Sequence, residues 1–182
     1  MLSNHHVHIS KENVQKLFGK DELTFKKYLA GNSGPYATEE FVTLRGPKGE
    51  ISRVRVLGPC RDYNQAELLK ADCYKLGVDA PVRASGKLDG AAELEIIGPC
   101  GSVTLNCGIQ ALRHIHVNPE NLEKYGLKLG HFVKVRTTGI RGLVFENVEI
   151  VKGNSGVLMH INTEEGNAAG VKNGDMLEVI TD

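Results

Sequence analysis

Two histidines flank one β-branched residue at His6-Val7-His8 and again at His114-Ile115-His116. Alternate residues of a strand share a face and stand about 7 Å apart along it, so each pair can aim two imidazoles at one point. Such a pair is half of a metal site. Zinc in catalytic sites commonly takes three protein ligands and keeps one exchangeable position, so each pair needs a third donor. The other histidines are His5, His131 and His160. His160 lies in the apolar run 157–161, where a lone histidine reads as a hydrogen-bonded core residue; two pairs in search of a third ligand make it a candidate instead. His5 falls on the strand face opposite its neighbours and His131 follows a turn glycine, so both read as bystanders. A carboxylate is harder to choose: Glu67 stands among apolar neighbours, six residues after Arg61, and its local sequence reads as a surface acid.

The segments that must position the histidines are themselves duplicated. Residues 6–16 read HVHISKENVQK and residues 114–124 read HIHVNPENLEK. Ser10 and Asn118 are good helix N-caps, Glu12 and Glu120 put acid in the first turn, and Pro119 takes the first helical position, where its missing N–H costs nothing. Gly19 and Gly126 end the two helices. A weaker echo relates FVTLR at 41–45 to FVKVR at 132–136. The remaining chain is short runs rich in Val, Ile, Leu and Thr, at 41–44, 51–57, 94–97, 103–105, 132–135, 143–150, 157–161 and 176–180, punctuated by Gly-Pro turns. Helical signals are short, at 11–18, 22–29, 71–76, 119–125 and 164–169. Closely spaced strands with such turns favour barrels over a doubly wound sheet. The expected fold is therefore mainly β: two small β-barrel domains capped by short α-helices, one over 1–111 and one over 112–182, internally duplicated.

Composition narrows the function. Lysine plus arginine equals aspartate plus glutamate at 22 each, and no basic block occurs, so the footprint of a nucleic-acid binder is missing. Tryptophan is absent and aromatics are few, which leaves no base-stacking platform. No stretch approaches the roughly 18 apolar residues of a membrane span, and no secretory h-region opens the chain, so a soluble intracellular protein is expected. Cys60, Cys73, Cys100 and Cys107 lack C-x-x-C spacing and read as reduced, structural thiols. Cys60 and Cys100 close two Gly-Pro-Cys turns, but neither has a sequence-local partner that would lower its pKa for nucleophilic work.

The segments HVHIS, GPCRDYNQAEL, APVRASGKLDG, RHIHVNPENLEKYGLKLG and MHINTEEGNAAG, in that order, resemble the PduL-type phosphotransacylases, the phosphate propanoyltransferase family of bacterial microcompartments. The resemblance runs from about His6 to Ile180. It implies two β-barrels with capping helices and an active site holding two Zn²⁺ ions where the barrels meet. One ion would take His6, His8 and Glu67, the other His114, His116 and His160, and Arg61 would bind phosphate as the catalytic cation. The chain departs from the family pattern at 64–69, where NQAELL replaces a more usual T-Q-V-E-hydrophobic-S, and at Ala84, where an acid often follows the arginine. Members usually carry more sequence before HVH, in some an encapsulation peptide; that helix is not expected here, which leaves cytoplasmic residence and the microcompartment lumen both open.

The implied reaction moves a short acyl group, propanoyl or acetyl, between coenzyme A and phosphate. Direct attack by a metal-organised phosphate needs no covalent enzyme intermediate. The partners are then acyl-CoA, phosphate and coenzyme A, with a homodimer expected from base rates and shell or lumen enzymes as neighbours. Arg83, Arg113 and the Ser85-Gly86-Lys87 turn are further anion candidates; Arg113 is balanced between a ligand contact and an ion pair. Two alternatives stand beside the transferase. A dinuclear zinc hydrolase would have little use for Arg61, and a metal-stapled scaffold would call for closed four-ligand sites.

Overall fold

The structure, a computed structural model, describes residues 1–154 and 156–180. The elements of the first part are β1 (Leu2–Ser3), β2 (His6–His8), α1 (Lys11–Phe18), β3 (Phe25–Tyr28), β4 (Tyr36–Arg45), β5 (Glu50–Gly58), β6 (Gln65–Glu67), α2 (Lys70–Leu76), β7 (Val82–Arg83), β8 (Ala92–Ile97) and β9 (Ser102–Ala111). There follow β10 (His114–Val117), α3 (Pro119–Lys124), β11 (Phe132–Arg136), β12 (Val144–Lys152), β13 (Val157–Asn162), α4 (Thr163–Ala169) and β14 (Glu178–Ile180). The chain is mainly β, as its short apolar runs require. Among the described residues no helix is long and apolar enough to cross a membrane.

Two compact units form, residues 5–111 and residues 1–4 with 112–182. The first four residues join the later unit because β1 pairs in parallel with β13, Leu2 opposite Ile161 and Ser3 opposite Asn162.

In the unit of residues 5–111 the strands β4, β5, β2, β6, β9 and β8 follow one another in the sheet, and β8 pairs back onto β4, which closes a six-stranded barrel. Val7, Leu44, Val54, Val56, Leu94 and Ile96 fill it, and Val14 and Leu17 of α1 and Leu76 of α2 join the same core. Two Gly-Pro-x-Gly turns hold these helices by their last carbonyls: Cys100 N–H donates to Leu17 and Lys48 N–H to Leu76, both at 3.0 Å. A Cβ at Gly98 or Gly46 would lie 2.4 Å from the same two carbonyl oxygens, so only glycine allows the approach.

The unit of residues 1–4 and 112–182 is a six-stranded sheet in the order β1, β13, β10, β12, β11, β14. Its core is Ile115, Val117, Val135, Phe145, Val148, Ile150, Ile161 and Ala169. Its strand pairing repeats that of the barrel. β2 runs parallel to β5 and antiparallel to β6, while β5 is antiparallel to β4; β10, β12, β13 and β11 stand in the same relations. The repeat reaches the backbone: Arg53 and Asn147, with φ of 59° and 56°, each lie two residues before the strand partner of a first histidine, Arg55 opposite His6 and Glu149 opposite His114.

One expected element differs. The segment 22–29 holds β3 rather than a helix, because Phe25–Tyr28 pairs with β4 and its rings meet Tyr36, at 5.2 Å for Phe25 and 6.4 Å for Tyr28. Cross-strand aromatic contact outweighs the weak local helical pattern.

Candidate functional site

Strand alternation sets the first group of donors. Val7 and Ile9 point into the barrel core with no exposed surface, and the opposite face of β2 presents His6 and His8, both buried. The antiparallel neighbour β6 brings Glu67 directly opposite His6 and Gln65 opposite His8. Nε2 of His6 lies 3.3 Å from Glu67 Oε2 and Nε2 of His8 lies 3.8 Å from Oε1. One donor atom from each of His6, His8 and Glu67 falls within 4.8 Å of the others.

The second group follows the same construction. Ile115 and Val117 enter the core, while His114 and His116 share the other face of β10. His160 of β13 stands directly opposite His114, in the register position that Glu67 holds opposite His6. The three rings lie 4.7–5.0 Å apart by centroid, and their donors also meet within 4.8 Å. Nδ1 of His114 is 2.8 Å from the Leu112 carbonyl and Nδ1 of His116 is 3.1 Å from the Lys152 carbonyl. A carbonyl only accepts, so each Nδ1 is the donor and points away from the cluster, which leaves Nε2 as the atom through which the neutral ring would serve a metal.

Electrostatics favour the same form. Burial, then His6 and Arg61, push the His8 imidazole down to about 3 against the opposing pull of Glu67. Burial also lowers His116. Sets of three imidazole nitrogens, or of two and a carboxylate, match the ligand chemistry of Zn²⁺ with a position left for substrate. The donor sets therefore fit the metal that the sequence resemblance implies.

Arg61 is placed by backbone. Its N–H donates to the Ile9 carbonyl at 3.1 Å beside a parallel bridge to Ser10, and Asn64 Oδ1 accepts from Ser10 N–H and from Asn13 Nδ2, both at 2.9 Å. The loop is thus locked to the start of α1. The Arg61 guanidinium lies 5.3 Å from the Tyr63 ring, and its Nη1 donates to the Tyr63 hydroxyl and, at 2.9 Å, to Ser85 Oγ. Gln65 Nε2 donates to the same Ser85 Oγ at 3.0 Å and to Glu67 Oε1 at 2.8 Å. The one local sign of Gln65 in the sequence is its alternation with Glu67 on one strand.

Other candidates are engaged elsewhere. Arg113 donates to Glu165 and, at 2.8 Å, to the Glu146 carbonyl, and lies over Phe145, which resolves its balance toward an ion pair. Arg83 donates to the carbonyls of Asp89 and Val82. In the Ser85-Gly86-Lys87 turn the Gly86 N–H is given to Gln65 and the Lys87 N–H to Ala84, so neither serves an anion. His5 faces Asp72 at 3.1 Å. All four cysteines are free thiols, and burial raises Cys60, Cys73 and, to about 12, Cys107.

The molecule is thus a duplicated β protein in which each histidine strand meets a third potential metal donor. The family follows from comparison with known proteins. The family model for phosphate propanoyltransferase matches residues 1–172. The phosphate propanoyltransferase of Rhodobacter capsulatus is 47% identical over 98% of this chain and 84% of its own length, and that of Rhodopseudomonas palustris is 45% identical over 98% and 80%. The phosphate propanoyltransferase of Thermotoga maritima is 44% identical over 98% and 87%. The chain belongs to the phosphate propanoyltransferase family and is a transferase.

Proposed function

We propose that this chain exchanges a short acyl group, propanoyl or acetyl, between coenzyme A and phosphate. In this reading it binds two Zn²⁺ ions, one by His6, His8 and Glu67 and one by His114, His116 and His160. The observation that carries it is the recurrence, in both copies of one strand unit, of a histidine pair directly opposite a third donor. Its relatives are named phosphate propanoyltransferase, which supports the propanoyl reading. Each set has three protein donors, which suits a catalytic ion and not a closed structural one.

When bound, zinc supplies Lewis-acid polarisation of a carbonyl or phosphoryl oxygen and a soft position that a thiolate can occupy. The remaining work falls to the chain. Arg61 offers a planar, permanently charged fork, and among the described residues only its Nη1 and backbone N–H are engaged, so Nε and Nη2 are available for two phosphate oxygens. A phosphate oxygen held there attacks the thioester carbonyl carbon; a C–O bond forms, the C–S bond breaks, and the electron pair leaves on the coenzyme A sulfur. The products are acyl phosphate and coenzyme A, and the same contacts serve the reverse direction. Buried donors mounted on strands hold the geometry with little reorganisation.

The test is propanoyl-CoA with and without inorganic phosphate, before and after chelation and zinc reloading. Propanoyl phosphate that requires both phosphate and metal is expected. Free propanoate formed without phosphate would make the protein a hydrolase, and full turnover after chelation would remove zinc from the reading.

A further inference from the structure

We propose that Gln65 is a positioning residue that ties the carboxylate of Glu67 to the anion-binding side chain of Arg61. This rests on the function proposed above, from which Glu67 and Arg61 take their roles. Gln65 has no exposed surface. A buried primary amide must satisfy both its NH₂ and its oxygen, and here the partners decide which end is which. The Gly86 backbone N–H can only donate, and it lies 2.7 Å from Oε1. Nε2 therefore spends its two hydrogens on Glu67 Oε1 at 2.8 Å and Ser85 Oγ at 3.0 Å. Ser85 Oγ in turn accepts from Arg61 Nη1 at 2.9 Å, which completes a continuous path from guanidinium to carboxylate.

The path has a geometric effect. Holding Oε1 turns the other oxygen, Oε2, toward His6 Nε2 at 3.3 Å. A carboxylate needs that restraint because it can rotate and present either oxygen, whereas an imidazole is directed by its ring. The duplicate unit supplies the comparison: where the third donor is His160, the register position of Gln65, opposite the second histidine, is occupied by Leu158. The amide is present only beside the carboxylate.

The experiment uses the full chain with Zn²⁺ and inorganic phosphate as probes. Gln65→Met keeps length and loses every hydrogen bond. It should release one zinc per chain at a chelator strength about 10- to 100-fold lower than the wild type needs, the effect of losing an outer-sphere partner, while the zinc of the His114 group is retained. KM for phosphate should rise several-fold with KM for propanoyl-CoA unchanged. Ser85→Ala, which removes the acceptor shared by Arg61 Nη1 and Gln65 Nε2 but keeps the Gln65–Glu67 hydrogen bond, should raise KM for phosphate and leave zinc retention alone. A folded Gln65→Met variant with wild-type zinc retention and phosphate KM overturns the proposal. If the wild type forms no acyl phosphate, the functional reading fails by itself, and zinc retention with calorimetric phosphate binding still decides the role of Gln65. If Gln65→Met does not fold, hydrogen exchange of the Gly86 amide in the wild type decides: zinc should slow it several-fold, and equal rates with and without zinc refute the tether.

Discussion

The depressed basicity of His8 makes the stability of the metal-free protein depend on pH in a window where carboxylates hardly titrate. Well above its ordinary value of 6.5 the imidazole is neutral in both folded and unfolded chains and contributes little pH dependence; at pH 6.5 itself half of the unfolded chains already carry the proton. As pH falls from 6.5 toward about 3, the unfolded chain takes up a proton that the buried side chain refuses, so folding is progressively lost. Linkage with those two limits removes about 1.4 kcal/mol between pH 7.5 and pH 5.5, a tenfold change in the folding constant. At a urea dependence of about 2 kcal/mol per molar, that lowers the unfolding midpoint by roughly 0.7 M. His116, lowered by burial, acts in the same direction. The His8 share is therefore the difference between the wild type and His8→Gln, both stripped of metal and melted in urea at the two pH values. Equal midpoint shifts in the two proteins would show that His8 is protonated in the folded state as easily as in water, and the burial reasoning would fail.

Arg61→Ala should raise KM for phosphate about 30- to 100-fold, the worth of about 2 to 3 kcal/mol in charge-assisted contacts, with KM for propanoyl-CoA little changed in initial-rate assays. Gly98→Ala should destabilise the barrel unit by about 1 to 3 kcal/mol in denaturant melts, because its Cβ would sit 2.4 Å from the Leu17 carbonyl oxygen. Cys100→Ser, at an exposed turn position, should leave steady-state turnover within about twofold; a total loss would indicate a thiol nucleophile in place of direct attack.

Local chemistry accounts for much of what could be read from residues alone. The cap residues Ser10 and Asn118 start α1 and α3 where their side chains accept from the N–H three residues on, and the glycine at position 19 ends α1 in the left-handed conformation that glycine adopts most readily. The alternation of histidine with Val7 or Ile115 separates ligand face from core face without reference to any other strand. By contrast, segment 22–29 carries a weak helical pattern that gives way to pairing with the next strand, β4, where the ring contacts with Tyr36 lie outside the segment itself, and the placement of Arg113 depends on Glu165, 52 residues away.

The amino-acid order by itself determined the duplicated histidine strands, the helices that follow them and the predominance of β structure, because these rest on alternation, capping and turn preference over a few residues. Tertiary structure alone decided that Glu67 and His160 occupy the same register position and that Gln65 joins Glu67 to Ser85 and Arg61. The reason is physical: which side chains face one another across two strands is set by pairing register between segments tens of residues apart, and no local preference encodes that register.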